Sequence, residues 1–481
     1  MRSLSPRRVA ALASLFLVLV GTAALAPVSA SAMTMGVEAN GELANPGRTP
    51  ADQAAALDRL QAQGATLIRL NVSWQQVAEG CAGQQLSALR DNTNACYDWS
   101  VYDSLVSLAS ARNIQLLFSV TRAPSWLQAN KPATLLEKEK PYWVGATSAD
   151  WTRTTQFYPA FITAIATRYN SASAIGTVKL WTIWSEPNSK TFWLPINSAS
   201  PSRYAVLYSL SAQALKAANP AATVAPGPTG PNSTIKPVPY IKAFQKAIVK
   251  LLPGATIKAK QRFLGAWAHN PYPVIYAPTG NPRYMGHTFI DKNALGMAQT
   301  RDLIRLLDSA PITRGLKVWA TEFGWETNPP DNTRNAISLA RQAQYIPEAY
   351  DLLDATGRVT IGVQYLLSDP VDPTNIDFQS GTYFANGTPK PSFYAYQRMI
   401  STNVTRLKRG GAVIIFAKAN TAPRKTAIMF SANGRTGWKV LSSPRRADGS
   451  IRRVLRMQKT MYFATWDGLK RGPSRAVVVS K

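Results

Sequence analysis

Two glutamates stand at the ends of two similar apolar segments. Glu186 follows the run Val178-Lys-Leu-Trp-Thr-Ile-Trp-Ser185, and Glu322 follows Leu316-Lys-Val-Trp-Ala-Thr321. Each run is typical of a buried strand, and barrels of parallel strands build their chemistry at the C-terminal ends of the strands. Paired carboxylates are also the minimal machinery for hydrolysing a glycosidic bond. Two glutamates solvated after ordinary strands would be the alternative, and the similarity of the two segments argues against it.

Strand-like and helix-like segments alternate along residues 33–402. The strand-like runs are short and apolar, whereas the longer stretches between them carry apolar residues at helical spacing. Eight strands alternating with helices predict an α/β fold, the (β/α)8 barrel. An open doubly wound sheet is the competing fold, and no Gly-rich phosphate fingerprint follows the first strand to support it. The predicted strands are 35–38, 66–72, 115–120, 178–184, 222–225, 263–268, 316–321 and 362–367.

Residues 1–32 have the pattern of a secretory signal peptide. Arg2, Arg7 and Arg8 precede an apolar stretch, and Ala30-Ser31-Ala32 offers a small-residue cleavage site. A retained membrane anchor is the alternative, although the stretch is short and rich in Ala, Ser and Gly. We therefore expect a secreted protein, extracellular or associated with the cell wall, with no membrane span after cleavage.

Residues 403–481 form a second predicted domain. Short alternating runs separated by turn residues predict a small all-β sandwich. The whole chain has a net charge of +28, and residues 401–481 hold 18 Lys and Arg against Asp448 and Asp467. Such a basic domain predicts an acidic partner. Because we expect export, the predicted partner is an anionic cell-envelope polymer and not nucleic acid.

Cysteines and histidines are few in this chain. Cys81 and Cys96 are its two cysteines, and both lie in a polar loop. In an oxidising compartment they are expected to form a disulfide bond. His269 and His287 are the only histidines, which argues against a zinc site and against a histidine-based triad. We therefore expect neither a metal nor a cofactor.

The two glutamate segments resemble the catalytic motifs of the clan A glycoside hydrolases, of the family 39 and family 5 type. Trp184-Ser-Glu-Pro-Asn188 is similar to the acid/base motif of the clan, and Trp319-Ala-Thr-Glu-Phe-Gly-Trp325 is similar to its nucleophile motif at strand seven. The resemblance implies that Glu186 is the general acid and base and that Glu322 is the nucleophile. It also implies a close pair of carboxyl groups, as in retaining enzymes.

Further segments resemble the substrate pocket of the same clan. Arg69 lies in an apolar strand-two segment whose arginine keeps the nucleophile ionised. His269 and Tyr272 match a strand-six segment that lines the pocket, and tryptophans such as Trp74 and Trp325 offer faces for stacking on sugars. The predicted substrate-binding residues are Arg69, Trp74, Ser185, His269, Tyr272, Trp325 and Tyr365.

Two positions depart from the usual pattern of the clan. Ser185 stands where an asparagine binds the sugar 2-hydroxyl, and a hydroxyl donates one hydrogen bond where an amide donates two. Tyr365 stands where a tryptophan often stacks beneath the reactive sugar, and it keeps an aromatic face. Both changes lie on the substrate side of the pocket, so they predict altered sugar specificity.

The sequence thus predicts a secreted retaining glycoside hydrolase. It would cleave O-glycosidic bonds of a poly- or oligosaccharide by a two-glutamate double displacement. The alternative is a weakly active or inactive barrel that binds an envelope polysaccharide, which Ser185 and the basic C-terminal domain also fit.

Overall fold

The computed structural model describes residues 33–128, 148–273, 291–331, 336–371 and 378–480. Its first part is built on eight parallel strands in the order β5-β4-β3-β2-β1-β8-β7-β6. A parallel bridge between Thr229 and His269 joins the ends of β5 and β6, so the sheet closes into a barrel. The predicted (β/α)8 barrel is confirmed. The strands are β1 (Thr34–Glu38), β2 (Leu67–Ser73), β3 (Gln115–Thr121), β4 (Leu180–Ile183), β5 (Thr223–Pro226), β6 (Ala266–His269), β7 (Lys317–Phe323) and β8 (Val359–Tyr365).

Helices alternate with these strands along the chain. The helix α2 shows how local sequence sets the ends, because Thr49 and Asp52 form a capping box at its start and Gly64 ends it in the left-handed conformation. The helices of the described residues are α1 (Asn40–Leu43), α2 (Pro50–Gln63), α3 (Trp74–Ala78), α4 (Ser100–Ala111), α5 (Ser148–Arg168), α6 (Ser200–Ala218), α7 (Pro237–Leu251), α8 (Ile257–Gln261), α9 (Thr300–Asp308), α10 (Leu339–Asp354) and α11 (Pro391–Gln397).

Burial on both faces explains why the barrel strands are apolar runs. Residues 318–323 of β7 are all buried, because one face packs inside the barrel and the other packs against the helices. Side chains that alternate along the strands fill the barrel interior and leave no open channel there. This interior cluster consists of Leu67, Leu117, Ala225, Ala266, Ala268, Trp319, Ile361 and Val363.

The C-terminal part consists of two further sheets. One has the order β9-β11-β14 and the other β10-β16-β15-β12-β13. Their facing side chains form a separate apolar core that includes Ile400, Val413, Ile428, Phe463 and Val477, so the predicted all-β sandwich is confirmed. The strands are β9 (Arg398–Thr402), β10 (Arg406–Lys408), β11 (Ala412–Ala419), β12 (Ala427–Ser431), β13 (Lys439–Leu441), β14 (Ile451–Arg456), β15 (Met461–Trp466) and β16 (Arg471–Ser480).

The sandwich begins earlier than the predicted boundary between residues 402 and 403. Its first strand, β9, starts at Arg398 directly after α11 and pairs with β11. No turn residue separates helix from strand there, so the sequence offers no signal for the change. Residues 398–480 are called the accessory domain below.

Arginines of the accessory domain bind one acidic face of the barrel helix α10. Glu348, Asp351 and Asp354 are spaced three residues apart and therefore share a helix face. Arg475 lies 2.9 Å from Glu348, Arg446 lies 2.6 Å from Asp354, and Arg452 pairs with Asp351. These ion pairs attach the accessory domain to the barrel.

The predicted disulfide between Cys81 and Cys96 is confirmed. It closes the loop that follows β2 and α3.

Across the described ranges, no helix is both long enough and apolar enough to cross a membrane.

Candidate active site

Strand β7 presents Glu322 at the C-terminal mouth of the barrel. Its Oε1 atom lies 2.6 Å from Nη1 of Arg69, which extends from β2 and is fully buried. The hydroxyl of Tyr272 donates a hydrogen bond to the second oxygen, Oε2, at 2.8 Å. A buried cation and a hydroxyl donor therefore hold both oxygens of this carboxylate.

Glu186 lies beyond the end of β4, on a backbone of unusual conformation. Its φ is +38° and that of Trp184 is +68°, in the left-handed region that non-glycine residues seldom adopt and that is enriched at functional sites. The side-chain amide of Asn270 donates a hydrogen bond to Oε1 of Glu186 at 2.8 Å. The Thr321 hydroxyl fixes that amide by donating to Oδ1 of Asn270 at 2.7 Å.

A close backbone approach also positions Glu186. A Cβ atom added to Gly230 would lie 2.5 Å from Oε1 of Glu186, so any larger residue there would displace the carboxyl group from its position. Asn188 holds this glycine, because its amide donates to the Gly230 carbonyl at 3.1 Å and accepts from the Gly230 N–H at 3.2 Å. The Glu-Pro-Asn part of the motif therefore ties the loop after β4 to the loop after β5.

The two glutamates line the same cavity, which has a volume of about 450 Å³. Glu326 adds a third carboxyl group to the described lining, and neither Lys nor Arg is part of that lining. The aromatic residues that line the cavity are Phe192, Tyr272, Trp325, Tyr365 and Phe378. The site therefore combines acidic groups with apolar faces, as a pocket for a sugar requires.

The environment of Glu186 favours its protonated form. Burial, reinforced by the nearby charge of Glu322, raises its pKa to about 7. The hydrogen bond from Asn270 and the more distant charge of Arg69 act in the opposite direction and do not offset the rise. At neutral pH this carboxyl group can thus hold a proton for transfer, while Glu322 has a cation beside it.

A further buried carboxyl group belongs to Glu38, which is the last residue of β1. It is 2% exposed, and burial raises its pKa to about 8 although Arg69 lowers it. Glu38 pairs in register with Arg69 on β2. One buried cation is therefore shared among several carboxyl groups, so the groups that do not pair with it directly retain protons.

Ser185 and Tyr365 both lie at the mouth of the barrel. The Ser185 Oγ atom is 3.4 Å from Nη2 of Arg69, and the side chain is almost fully buried. Tyr365 lines the cavity, with its ring centroid 6.0 Å from that of Tyr272. The aromatic face expected at the end of β8 is thus present in the cavity.

Trp74 and His269 do not line the described cavity. Trp74 is 1% exposed and packs against Phe161 and Tyr158 between the barrel and its helices. His269 has both ring nitrogens bound within the protein, to the Thr229 hydroxyl at 2.8 Å and to the Leu295 carbonyl at 2.6 Å. Burial lowers the His269 pKa to about 4, so it is a neutral residue that joins loops.

Asn270, Gly230 and Glu38 contact the predicted site residues but were not predicted themselves. Asn270 lies between His269 and Tyr272, and a polar residue directly after a strand was a signal that pointed to it. Glu38 carried the same signal as Glu186 and Glu322, because it is a carboxylate at the C-terminal end of a strand. Gly230 had no local signal, because its contact with Glu186 joins distant parts of the chain. In the part of the chain that the structure describes, no group of three or more His, Cys, Asp or Glu residues is arranged to hold a metal ion.

The barrel and its paired carboxyl groups define a glycosidase of the clan A type. Residues 31–350 match the family Cellulase (glycosyl hydrolase family 5). The chain therefore belongs to glycosyl hydrolase family 5. No curated protein is significantly similar to it in sequence.

Solved structures of glycosidases share the fold. A family 39 glycoside hydrolase from the gut symbiont Bacteroides cellulosilyticus WH2 aligns with a TM-score of 0.56 and 16% identity, over 94% of this chain and 81% of that one. A glucosidase from Croceicoccus marinus aligns with a TM-score of 0.53 and 12% identity, over 90% of this chain and 95% of that one. At these identities the similarity shows the fold alone.

Proposed function

We propose that this glycosidase is a secreted, retaining enzyme that cleaves a poly- or oligosaccharide by double displacement. The observation that supports the mechanism most directly is the unequal environment of the two carboxyl groups. Glu322 contacts the buried guanidinium of Arg69, whereas Glu186 contacts the neutral amide of Asn270 and has a pKa of about 7. Different surroundings of two neighbouring carboxyl groups suit one for the role of acid and the other for the role of anion.

In the first step Glu186 donates its proton to the glycosidic oxygen while Glu322 attacks the anomeric carbon. The bond between that carbon and the leaving oxygen breaks, and a glycosyl ester of Glu322 forms. In the second step Glu186, now a carboxylate, removes a proton from water, which displaces Glu322 from the anomeric carbon. Two inversions leave the starting configuration in the product.

The charge of the pocket favours an uncharged sugar. The described lining carries Glu186, Glu322 and Glu326 and no Lys or Arg. A uronic acid would bring another anion next to these groups, and the described lining holds no cation to receive it. We therefore propose a neutral glycan as substrate, so an aryl glucoside should be hydrolysed much faster than the matching aryl glucuronide.

Secretion and attachment to an anionic envelope polymer complete the proposal. The leader pattern of residues 1–32 and the excess of Lys and Arg in residues 401–481 support them. Extracellular or cell-wall location would place the enzyme beside large polysaccharides. Fractionation of the producing cells, followed by mass spectrometry of the mature N-terminus, tests secretion.

Two variants assayed on a panel of aryl β-glycosides test the catalytic roles. Glu322→Ala should remove nearly all turnover on every substrate, because no glycosyl ester can form. Glu186→Ala should lose about 10²–10⁴-fold on substrates with poor leaving groups and much less on those that need no protonation. Azide ion, which needs no general base, should raise the turnover of Glu186→Ala. Wild-type protein without turnover on any substrate would favour the polysaccharide-binding alternative.

A further inference from the structure

The accessory domain has a second concave surface, with a volume of about 650 Å³. It lies between residues 422–425 and residues 445–449, and it is called the basic groove below. These two loops are packed tightly, because a Cβ atom added to Gly449 would lie 2.4 Å from the Pro423 carbonyl oxygen. The second loop is closed by the Arg446 N–H, which donates to the Ser450 carbonyl at 2.8 Å. The backbone thus fixes the shape of the groove.

Four basic side chains and one carboxylate line the basic groove. The carboxylate, Asp448, already has partners inside the domain, because Lys418 lies 3.0 Å from it and the Ser450 hydroxyl donates to it at 2.7 Å. One of the basic residues, Arg446, is bound to Asp354 of the barrel. These charges are therefore compensated within the protein.

The other three basic residues of the groove are Arg424, Lys425 and Arg445. All three are exposed, and they form no ion pair with any residue in the described ranges. Arg445 donates one hydrogen bond to the Thr426 carbonyl at 3.0 Å, which directs its side chain along the groove wall. Three uncompensated positive charges therefore converge on one concavity, where they repel one another until an anion binds.

We infer that the basic groove is a binding site for an anionic glycan, held through its carboxylate or phosphate groups. Planar guanidinium groups form paired hydrogen bonds with both kinds of group. The concavity also provides walls for a polymer chain, which an isolated surface charge does not. The inference builds on the proposed envelope attachment and assigns it to particular residues.

The basic groove lies at the opposite end of the barrel from the catalytic carboxyl groups. Lys418, which binds Asp448 of the groove, also donates to the carbonyl of Met33, the residue before β1. Asp354, the partner of Arg446, precedes the start of β8 at Val359. Glu322 lies at the far end of the parallel strands, and a seven-residue strand spans about 23 Å.

This placement separates the bound polymer from the polymer that is cleaved. A glycan in the basic groove cannot reach Glu186 or Glu322 with the same segment. Instead, the bound glycan would contact the accessory domain near the N-terminal ends of the barrel strands, and the catalytic mouth would stay open. The groove is therefore an attachment site and not an extension of the catalytic pocket.

Binding of the full-length mature protein to soluble polymers tests the inference. The probes are polygalacturonate for carboxylate groups, poly(glycerol phosphate) for phosphate groups, and dextran as a neutral control. Arg424→Gln with Arg445→Gln should raise the dissociation constant for an anionic polymer at least about tenfold, because charge-assisted hydrogen bonds are lost. Hydrolysis of a small aryl glycoside by this variant should equal that of the wild type.

The chain offers a matched control for charge. Arg435 follows the far end of β12 and Arg456 ends β14, so both lie a strand's length from the groove loops. Arg435→Gln with Arg456→Gln removes the same charge and should weaken binding less than about threefold by general electrostatics. Equal weakening by the two variants would overturn the inference, as would the absence of binding to both anionic polymers or equal binding to dextran. The binding measurements need no turnover, so they are independent of the catalytic proposal.

Discussion

Arg69 and Glu322 form a buried ion pair across the barrel mouth, with 2.6 Å between Nη1 and Oε1. They belong to β2 and β7, which are not neighbours in the sheet. Among the residues that the structure describes, no cation contacts Glu186 directly, and its carboxyl group accepts a hydrogen bond from Asn270 instead. The barrel therefore places its two carboxyl groups in different surroundings, one beside a cation and one beside a neutral amide, which is the asymmetry that the proposed double displacement needs.

Asn270 should set the upper pH limit of activity. Glu186 must hold its proton in the first step, so kcat/KM should fall as pH rises above about 7, the pKa of this group. The Asn270 amide stabilises the carboxylate form and lowers that pKa. Asn270→Ala should therefore move the alkaline limb of the kcat/KM profile to higher pH, besides reducing its maximum.

Thr321→Val provides the conservative control for this shift. The variant keeps the shape of the side chain and removes the hydroxyl that donates to Asn270 at 2.7 Å. It should move the alkaline limb in the same direction by a smaller amount, because the amide remains present but less well fixed. An unchanged limb in Asn270→Ala would show that Glu186 does not govern it.

Glu38 should make the protein less stable as pH rises. Its pKa is about 8 in the folded state against 4.5 for the ordinary group, so the folded state holds an extra proton in that window. The stabilisation is complete below pH 4.5 and is lost as pH rises towards 8, by up to about 1.4 kcal/mol per pH unit. Glu38→Gln should therefore lose less thermal stability between pH 5 and 8 than the wild type. If the melting temperatures of the two proteins fell equally between pH 5 and 8, Glu38 would not cause the loss of stability.

Ser185→Asn should change sugar preference and leave the fold intact. Ser185 lies 3.4 Å from Arg69 at the position where the clan uses an amide for the 2-hydroxyl. An added hydrogen bond is worth about 1 kcal/mol, so kcat/KM should rise about fivefold on substrates with an equatorial 2-hydroxyl. Ser185→Ala is the matched control, because it removes the hydroxyl without adding an amide. If neither variant changes the rate on any sugar, this side chain does not serve the pocket.

The disulfide between Cys81 and Cys96 should stabilise the barrel mouth. It closes a loop with a sequence separation of 15 residues, for which chain entropy gives about 3 kcal/mol. Cys81→Ser with Cys96→Ser should lower the melting temperature by several degrees in calorimetry. Reduction of the wild type should give a comparable loss, and equal melting temperatures would show that the bond adds no stability.

Local signals in the sequence were sufficient for the strands and for the residues at their ends. Each predicted barrel strand overlaps an observed one, because a strand that is buried on both faces must be an apolar run. Glu186, Glu322, Arg69 and Tyr272 follow from that pattern and from the clan resemblance, and the structure brings them together.

The remaining features depend on contacts between distant segments. The sequence does not distinguish a tryptophan that faces a sugar from one packed beneath a helix, so Trp74 and Trp325 read alike and only Trp325 reaches the cavity. The two hydrogen bonds that hold His269 inside the protein come from residues after β5 and before α9. Likewise, the acidic face of α10 could not be predicted to bind the accessory domain, because the arginines that pair with it lie about 100 residues further along the chain.

The stereochemistry of the first product tests the central claim most directly. We would incubate the wild-type protein with an aryl β-glycoside that it hydrolyses and record proton NMR spectra before the released sugar equilibrates. Glu322 acting as nucleophile and Glu186 as acid and base predicts that the β-anomer appears first, with the α-anomer growing only by mutarotation. Initial release of the α-anomer would show a single displacement by water and would contradict the account.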